Sequence, residues 1–185
     1  VVAVTGLGYS LCRGFNSWMP TYISRQFGVS LAESGSFVAL FPAVGILARP
    51  AGGWLSDGWL GQRRRPVFAV SFLGAIVLAV AMFYSTTVAV LVTMLVLSGV
   101  FIQLQIGLLY QSVQEFVDPS AAGTAVALAS VAGWLGSFVA PVIVGELVTT
   151  AGTYAVVFGF AVALGVLGGL IVWRMAESGG GARAA

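Results

Sequence analysis

The sequence of 185 residues has no histidine, no lysine and one cysteine, and only 8% of it is charged. Without histidine there is no His-based metal site, no Ser–His or Cys–His dyad and no histidine proton relay. No G-x-S-x-G elbow is present either, so hydrolase chemistry, metal chemistry and a bound cofactor are not expected. Cys12 is alone and cannot form an internal disulfide, so it says nothing about redox compartment. A soluble domain carries about 25% charged residues. A chain with so few charges cannot clothe itself for water, and its solvent must be largely lipid. All eight basic residues are arginine and the net charge is +2. Nucleic-acid affinity rests on many basic contacts to phosphate, so no nucleic-acid partner is expected.

What the sequence has is apolar length: 59% of its residues are hydrophobic. A spanning helix needs about 20 mostly apolar residues. Polar breaks at Ser24–Ser34, Ser56–Pro66, Tyr84–Thr87, Glu115–Ala122 and Thr149–Thr153 leave six apolar runs, at roughly 2–23, 35–55, 67–84, 88–112, 123–147 and 154–174. The expected architecture is an all-α integral membrane domain of six transmembrane helices over 1–176. Three consecutive glycines predict a disordered cytoplasmic tail at 177–185. The chain opens directly in apolar sequence at Val1, with no signal-peptide pattern, as a piece cut from a longer chain would.

Orientation follows from the arginines. Arg63, Arg64 and Arg65 lie between the second and third runs, and Arg174 and Arg183 follow the sixth. With six spans these five share one face, which the positive-inside rule makes cytoplasmic, leaving Arg25, near Glu33, on the other. Both chain ends are then cytoplasmic, and a multi-pass plasma-membrane protein is expected. Gly35, Val38, Leu40 and Gly45 recur at a constant offset as Gly123, Val126, Leu128 and Gly133. This pairs the second run with the fifth and suggests two three-helix units.

The segment Gly53-Trp54-Leu55-Ser56-Asp57-Gly58-Trp59-Leu60-Gly61-Gln62-Arg63-Arg64-Arg65 is the most informative. It resembles the cytoplasmic signature G-x-L-x-D-(R/K)-x-G-(R/K)-(R/K) of the major facilitator superfamily, which follows the second helix of each half. Gly58 stands where that pattern has a basic residue, and Gly61 falls one residue late. The resemblance implies a gate built on Gly53, Asp57, Arg63 and Arg64. Gly53 would let a neighbouring helix come close. Asp57 would accept hydrogen bonds from a helix N-terminus in the other half, and the arginines can bridge to it. Trp18-Met19-Pro20-Thr21-Tyr22 is similar to the W-x-P-T-Y segment of bacterial anion-transporting members. Ala48-Arg49-Pro50-Ala51-Gly52-Gly53 resembles the nitrate/nitrite porter branch, in which an arginine at this place helps bind the anion. Asp118-Pro119 with Gly123, Pro141 and Gly145 resembles the eleventh helix of the superfamily. By this resemblance the chain is the C-terminal half of a secondary transporter, with the lipid bilayer, an N-terminal six-helix half and a small solute as its partners.

Arg13 lies about 18 Å into the first run at 1.5 Å per residue, near mid-membrane. An arginine there costs at least ~2.5 kcal/mol and should face a wet cavity or a partner. Tyr9, Arg13, Asn16 and Pro20 share one helical face. Arg13 either anchors an anionic solute or pairs with a carboxylate of the other half. Arg49 either binds the anion, snorkels to the interface, or pairs with Asp57 two turns on. Gln103 and Gln105 are two residues apart and cannot share a face. One can reach the cavity and the other a neighbouring helix, and Gln105 is taken as the substrate candidate. Tyr110 and Trp134 either pack on solute or belong to the packing. Glu146 is the one acidic residue well inside a run, either a titratable coupling group or an interfacial residue. The expected function is alternating-access transport of a small anion, inorganic such as nitrate or nitrite, or organic. The alternatives are a six-helix channel and a non-transporting membrane assembly partner.

Overall fold

A computed structural model describes residues 2–61, 63–115 and 117–174, so the expected tail at 177–185 and Arg183 lie outside the described residues. Within them the chain is helical throughout: α1 (Val2–Phe27), α2 (Leu31–Ala43), α3 (Gly45–Trp54), α4 (Arg65–Phe83), α5 (Val88–Glu115), α6 (Ala122–Ala151) and α7 (Ala155–Arg174). A π-helical turn, Leu55–Trp59, continues α3, and a 3₁₀ turn, Pro119–Ala121, leads into α6.

Helix ends are set by caps more sharply than by polarity. α1 runs past Ser24 and Arg25 and stops at Gly28, whose φ is 69° and whose N–H donates to the Ser24 carbonyl at 3.1 Å. α2 opens on a capping box. The Glu33 N–H donates to Ser30 Oγ at 3.2 Å, and the Ser30 N–H donates to the Glu33 carboxylate. The break expected over Ser24–Ser34 therefore narrows to Gly28–Ser30, because polar residues at a membrane edge need not end a helix. Glu33 serves this cap, while Arg25 lies over the Tyr154 ring, 5.9 Å from its centroid. Likewise α5 continues to Glu115, which the sequence places in a loop.

The second expected run divides. Pro42 has no N–H to donate one turn back, and α2 gives way to α3 at Val44. Together Leu31–Trp59 make one 29-residue stretch, one of five that are long and apolar enough to cross a membrane among the described residues. The others are Arg65–Phe83, Val88–Glu115, Pro119–Ala151 and Ala155–Arg174. α1 has the length, at 26 residues, but Arg13 and Asn16 make it too polar to count by composition.

The interior is filled by Met19, Ile23, Phe41, Phe68, Phe72, Met82, Leu91, Leu95, Ile102 and Leu108, all buried. Equally large apolar residues point outward, Ile46, Leu47, Leu73, Phe138 and Leu170 among them. That pattern suits hydrocarbon on the outside as well as within. The broadest pairings are α1 with α6, α4 with α7, and α3 and α4 each with α5. In lipid there is no hydrophobic gain from helix association, so close packing carries it. At the α3–α5 crossing, a Cβ on Gly107 would lie 2.2 Å from the Arg49 carbonyl oxygen, and one on Gly52 would lie 2.3 Å from that of Leu104. The α1–α6 crossing is similar, with Gly136 against the Gly6 carbonyl.

Gly107→Ala is therefore expected to force α3 and α5 apart and to cost roughly 1–3 kcal/mol, the range for overpacking. Gly169→Ala, which opens onto empty space, should stay within about 0.5 kcal/mol of wild type. Thermal unfolding of the two variants in detergent measures the contrast; equal melting would mean the crossing is loose.

Candidate functional site

Two groups of polar side chains stand out, one along the middle of α5 and one where α3, α4 and α5 meet the loop before α4. The first begins with Arg49. The crossing just described lays the Arg49 backbone against Gly107, and its side chain turns one helical turn back along α5. There Nε and Nη2 donate to Gln103 Oε1 at 3.2 and 3.1 Å. Gln103 is fully buried, and its Nε2 faces the Pro42 carbonyl at 3.5 Å. Arg49 itself is exposed. The pairing with Asp57 is not formed: Arg49 has a neutral partner, and Asp57 bonds Arg64.

On α1, Tyr9 and Tyr110 of α5 join through their hydroxyls at 3.1 Å. One turn beyond Tyr9, the Arg13 guanidinium lies over the Trp134 ring of α6, 5.8 Å from its centroid. Such a contact attracts a cation without neutralising it. Arg13 is exposed and Asn16, on the same face, is half-buried. Gly8 faces the Gln105 amide, 3.2 Å from where a Cβ would stand. Gln105 is thus closed behind α1, fully buried, with neither amide atom hydrogen-bonded among the described residues. Of the two glutamines, Gln103 reaches an arginine and Gln105 is sealed. Sequence spacing showed that they face different ways but could not say which way each faces. Glu146 is exposed on α6, and its backbone carbonyl accepts from Thr150. Nearby, Trp18 Nε1 donates to the Pro141 carbonyl at 3.1 Å, tying α1 to α6.

The second group centres on Arg64, which is buried. Nη1 donates to Asp57 Oδ1 at 2.5 Å and Nη2 to Glu115 Oε1 at 2.7 Å. Burial alone would lower the Arg64 pKa. Hydrogen bonding and charge from Glu115, then Asp57, outweigh it and hold the group above its ordinary value. Ser56 Oγ donates to the Arg63 carbonyl at 3.1 Å and folds the loop back. Arg63 is exposed. Arg65 Nη2 donates to the Trp173 carbonyl at the end of α7, where a cation suits the helix dipole. The late Gly61 of the loop has a physical counterpart. The π turn takes up one residue more than an α turn, with the Leu60 N–H donating to the Leu55 carbonyl. Gly61 then reverses the chain at φ 58°. The close approach expected at Gly53 falls on Gly52 instead: Gly53 meets only Gln111, at ordinary contact distance. Glu115 was missed from sequence because its charge marked it as loop. Its position at the end of a span opposite an arginine-rich loop was the available signal.

Among the described residues the chain is an all-helical domain whose apolar spans carry arginines, the build of a multi-pass membrane protein. The family profile described as Major Facilitator Superfamily matches residues 1–184. The chain belongs to that superfamily, and so among transport proteins rather than enzymes. It is similar to a probable nitrate/nitrite transporter of Mycobacterium tuberculosis, 30% identical over 136 residues, covering 71% of this chain and 33% of the relative. It is also similar to a nitrite extrusion protein of Bacillus subtilis, 30% identical over 78% of this chain and 35% of the relative. A hexuronate transporter of Bacillus subtilis is 29% identical over 86% of this chain and 40% of the relative. The chain thus spans between a third and two fifths of the length of these curated relatives.

Two outcomes are expected. Removing the Arg64 charge (Arg64→Gln) leaves two carboxylates facing each other. Loss of a fully buried pair costs roughly 3–5 kcal/mol. The Asp57 and Glu115 side chains are 48% and 36% exposed, so a smaller loss of about 1–3 kcal/mol is expected on the same grounds. A double-mutant cycle with Glu115→Gln should recover part of it. Gln105→Met removes an unpaired buried amide at similar volume and should leave the melting temperature unchanged or raised; a clear fall would mean that the amide has a partner.

Proposed function

We propose that this chain is the C-terminal six-helix half of a secondary transporter that moves a small anion across the plasma membrane by alternating access. The observation that carries the reading is Arg49. A guanidinium within an apolar span is hydrogen-bonded to a neutral carboxamide, so its positive charge is left for something else. Arg13 supports it: a second cation within α1, over a ring rather than beside a carboxylate. Such groups in a span are expensive and mark solute pathways. Arginine suits planar oxyanions because it donates in pairs. The names of the relatives point the same way, since nitrate, nitrite and hexuronate are all anions.

In this reading α1 also spans the membrane, as the first of six, and is polar because it lines a wet cavity. Tyr9 and Asn16 line that cavity with Arg13. Gln105 joins them only when α1 moves off it. The helix pairings agree with two three-helix units. Exchanging first with fourth, second with fifth and third with sixth span turns the α1–α6 pair into the α3–α5 pair and leaves α4–α7 unchanged. Both chain ends are cytoplasmic, and Asp57, Arg63, Arg64 and Glu115 form the cytoplasmic gate with the other half. Asp57 remains half exposed beside Arg64, able to accept from a helix N-terminus across the gate. Glu146, at the outer end of α6, takes an interfacial role rather than ion coupling.

The natural protein that carries this chain, reconstituted in proteoliposomes, should take up nitrate or a hexuronate with saturable, counter-anion-stimulated kinetics. Arg49→Gln and Arg13→Gln should each lower that uptake at least tenfold with monodispersity intact. Wild-type uptake in both variants would remove the basis of the anion reading.

A further inference from the structure

Gln103 is well placed to decide how Arg49 presents itself. Its oxygen accepts from both Nε and Nη2 of Arg49, at 3.2 and 3.1 Å, so it occupies one whole edge of the guanidinium. That edge can pair with a carboxylate in a two-bond fork. The opposite edge, with both Nη1 hydrogens and the second Nη2 hydrogen, is left over.

The amide is held in one orientation. Its oxygen faces the donors of Arg49 and its nitrogen faces the Pro42 carbonyl at 3.5 Å. A flipped amide would set donor against donor at one end and acceptor against acceptor at the other. The side chain is also confined. Gln103 is 0% exposed, and a Cβ on Gly45 would stand 2.6 Å from its Nε2 and 2.8 Å from its Cδ. Glycine at 45 makes the slot in which the carboxamide lies. Gln103 therefore cannot swing away to follow a moving arginine. Its fixed oxygen is a stop against which the guanidinium rests.

The acceptor is neutral. A glutamate in the same slot would orient Arg49 as well, and would bind it more strongly, but would cancel its charge. A glutamine orients the arginine and leaves the charge uncancelled.

We infer that Gln103 is a positioning residue of the anion site: it clamps the Nε–Nη2 edge of Arg49 without neutralising it, so that the anion meets the Nη1–Nη2 edge of a full positive charge. This rests on the reading of Arg49 as an anion-binding group. The Gln103 amide touches the arginine and the α2 backbone, and acts on the solute through Arg49.

The test uses the natural protein in proteoliposomes, with nitrate and glucuronate as probes. Gln103→Glu should lower uptake at least tenfold while the protein stays monodisperse and melts no lower than wild type, because the new ion pair ties α3 to α5 more firmly. Gln103→Met keeps the volume but removes the acceptor. It should raise KM about fivefold or more and leave kcat within twofold, since Arg49 keeps its charge and loses its aim. If Gln103→Glu does not fold, Gln103→Met decides alone. A purely structural Gln103, an amide that only bonds helices together, predicts wild-type KM in folded Gln103→Glu and Gln103→Met protein, and that result overturns the inference. Arg49→Gln separates the two levels. Loss of uptake there with wild-type behaviour at position 103 leaves the anion reading standing and this one overturned. Wild-type uptake in Arg49→Gln, or a wild-type protein that takes up neither probe, overturns both.

Discussion

The α3–α5 crossing sets the geometry on which the polar groups depend. Its two glycines, Gly52 and Gly107, bring backbone onto backbone at a separation that no side chain could occupy. Because lipid offers no hydrophobic reward for helix association, this contact must be held by dispersion and by hydrogen bonds that have no water to compete with them. Once α3 lies that close, the Arg49 side chain has α5 as its nearest wall, and Gln103 is the acceptor one turn away. The same two helices end side by side. That is why Glu115, at the end of α5, comes to face the arginine that opens α4 just past Asp57.

The charges divide into two zones. Around Arg64, one buried cation meets two carboxylates directly, with Arg63 and Arg65 on either side of it. In the middle of the spans the cations have neutral partners instead. Arg49 meets an amide and Arg13 an indole ring. A ring stabilises a cation by about 0.5–2 kcal/mol without removing its field, and a neutral amide likewise leaves the charge in place. In a low-dielectric surround that field acts over a longer range than it would in water.

The sequence made the spans and the arginine-rich loop legible because both are local signals: apolar length, and one kind of charge in one place. It misjudged ends where it read polarity instead of capping. Ser24 and Arg25 remain helical, and Glu115 is the last residue of α5 rather than the first of a loop. The partners of the functional side chains were not legible. Arg49 finds Gln103 across 54 residues and Arg64 finds Glu115 across 51. Which of two glutamines faces an arginine depends on the rotation of α5 about its axis, and two residues of spacing do not fix that. Gly52 and Gly53 differ in the same way: adjacent in sequence, they point about 100° apart on a helix, and the crossing takes only the first.

The joint at Val44 has a mechanical consequence. It lies beside the Gln103 slot, with Pro42 and Gly45 on either side. The 13 residues of α2 form the outer arm, about 20 Å long at 1.5 Å per residue. The pivot and the guanidinium sit together at one end of that lever. A bend of ten degrees would carry the far tip of α2 about 3.5 Å for an arm of that length, while Arg49, on α3 beyond the pivot, would hardly shift. Val44 itself keeps helical φ and ψ and bonds back to Leu40 and on to Ala48, so the two arms stay joined as one span with the charge at the fixed end.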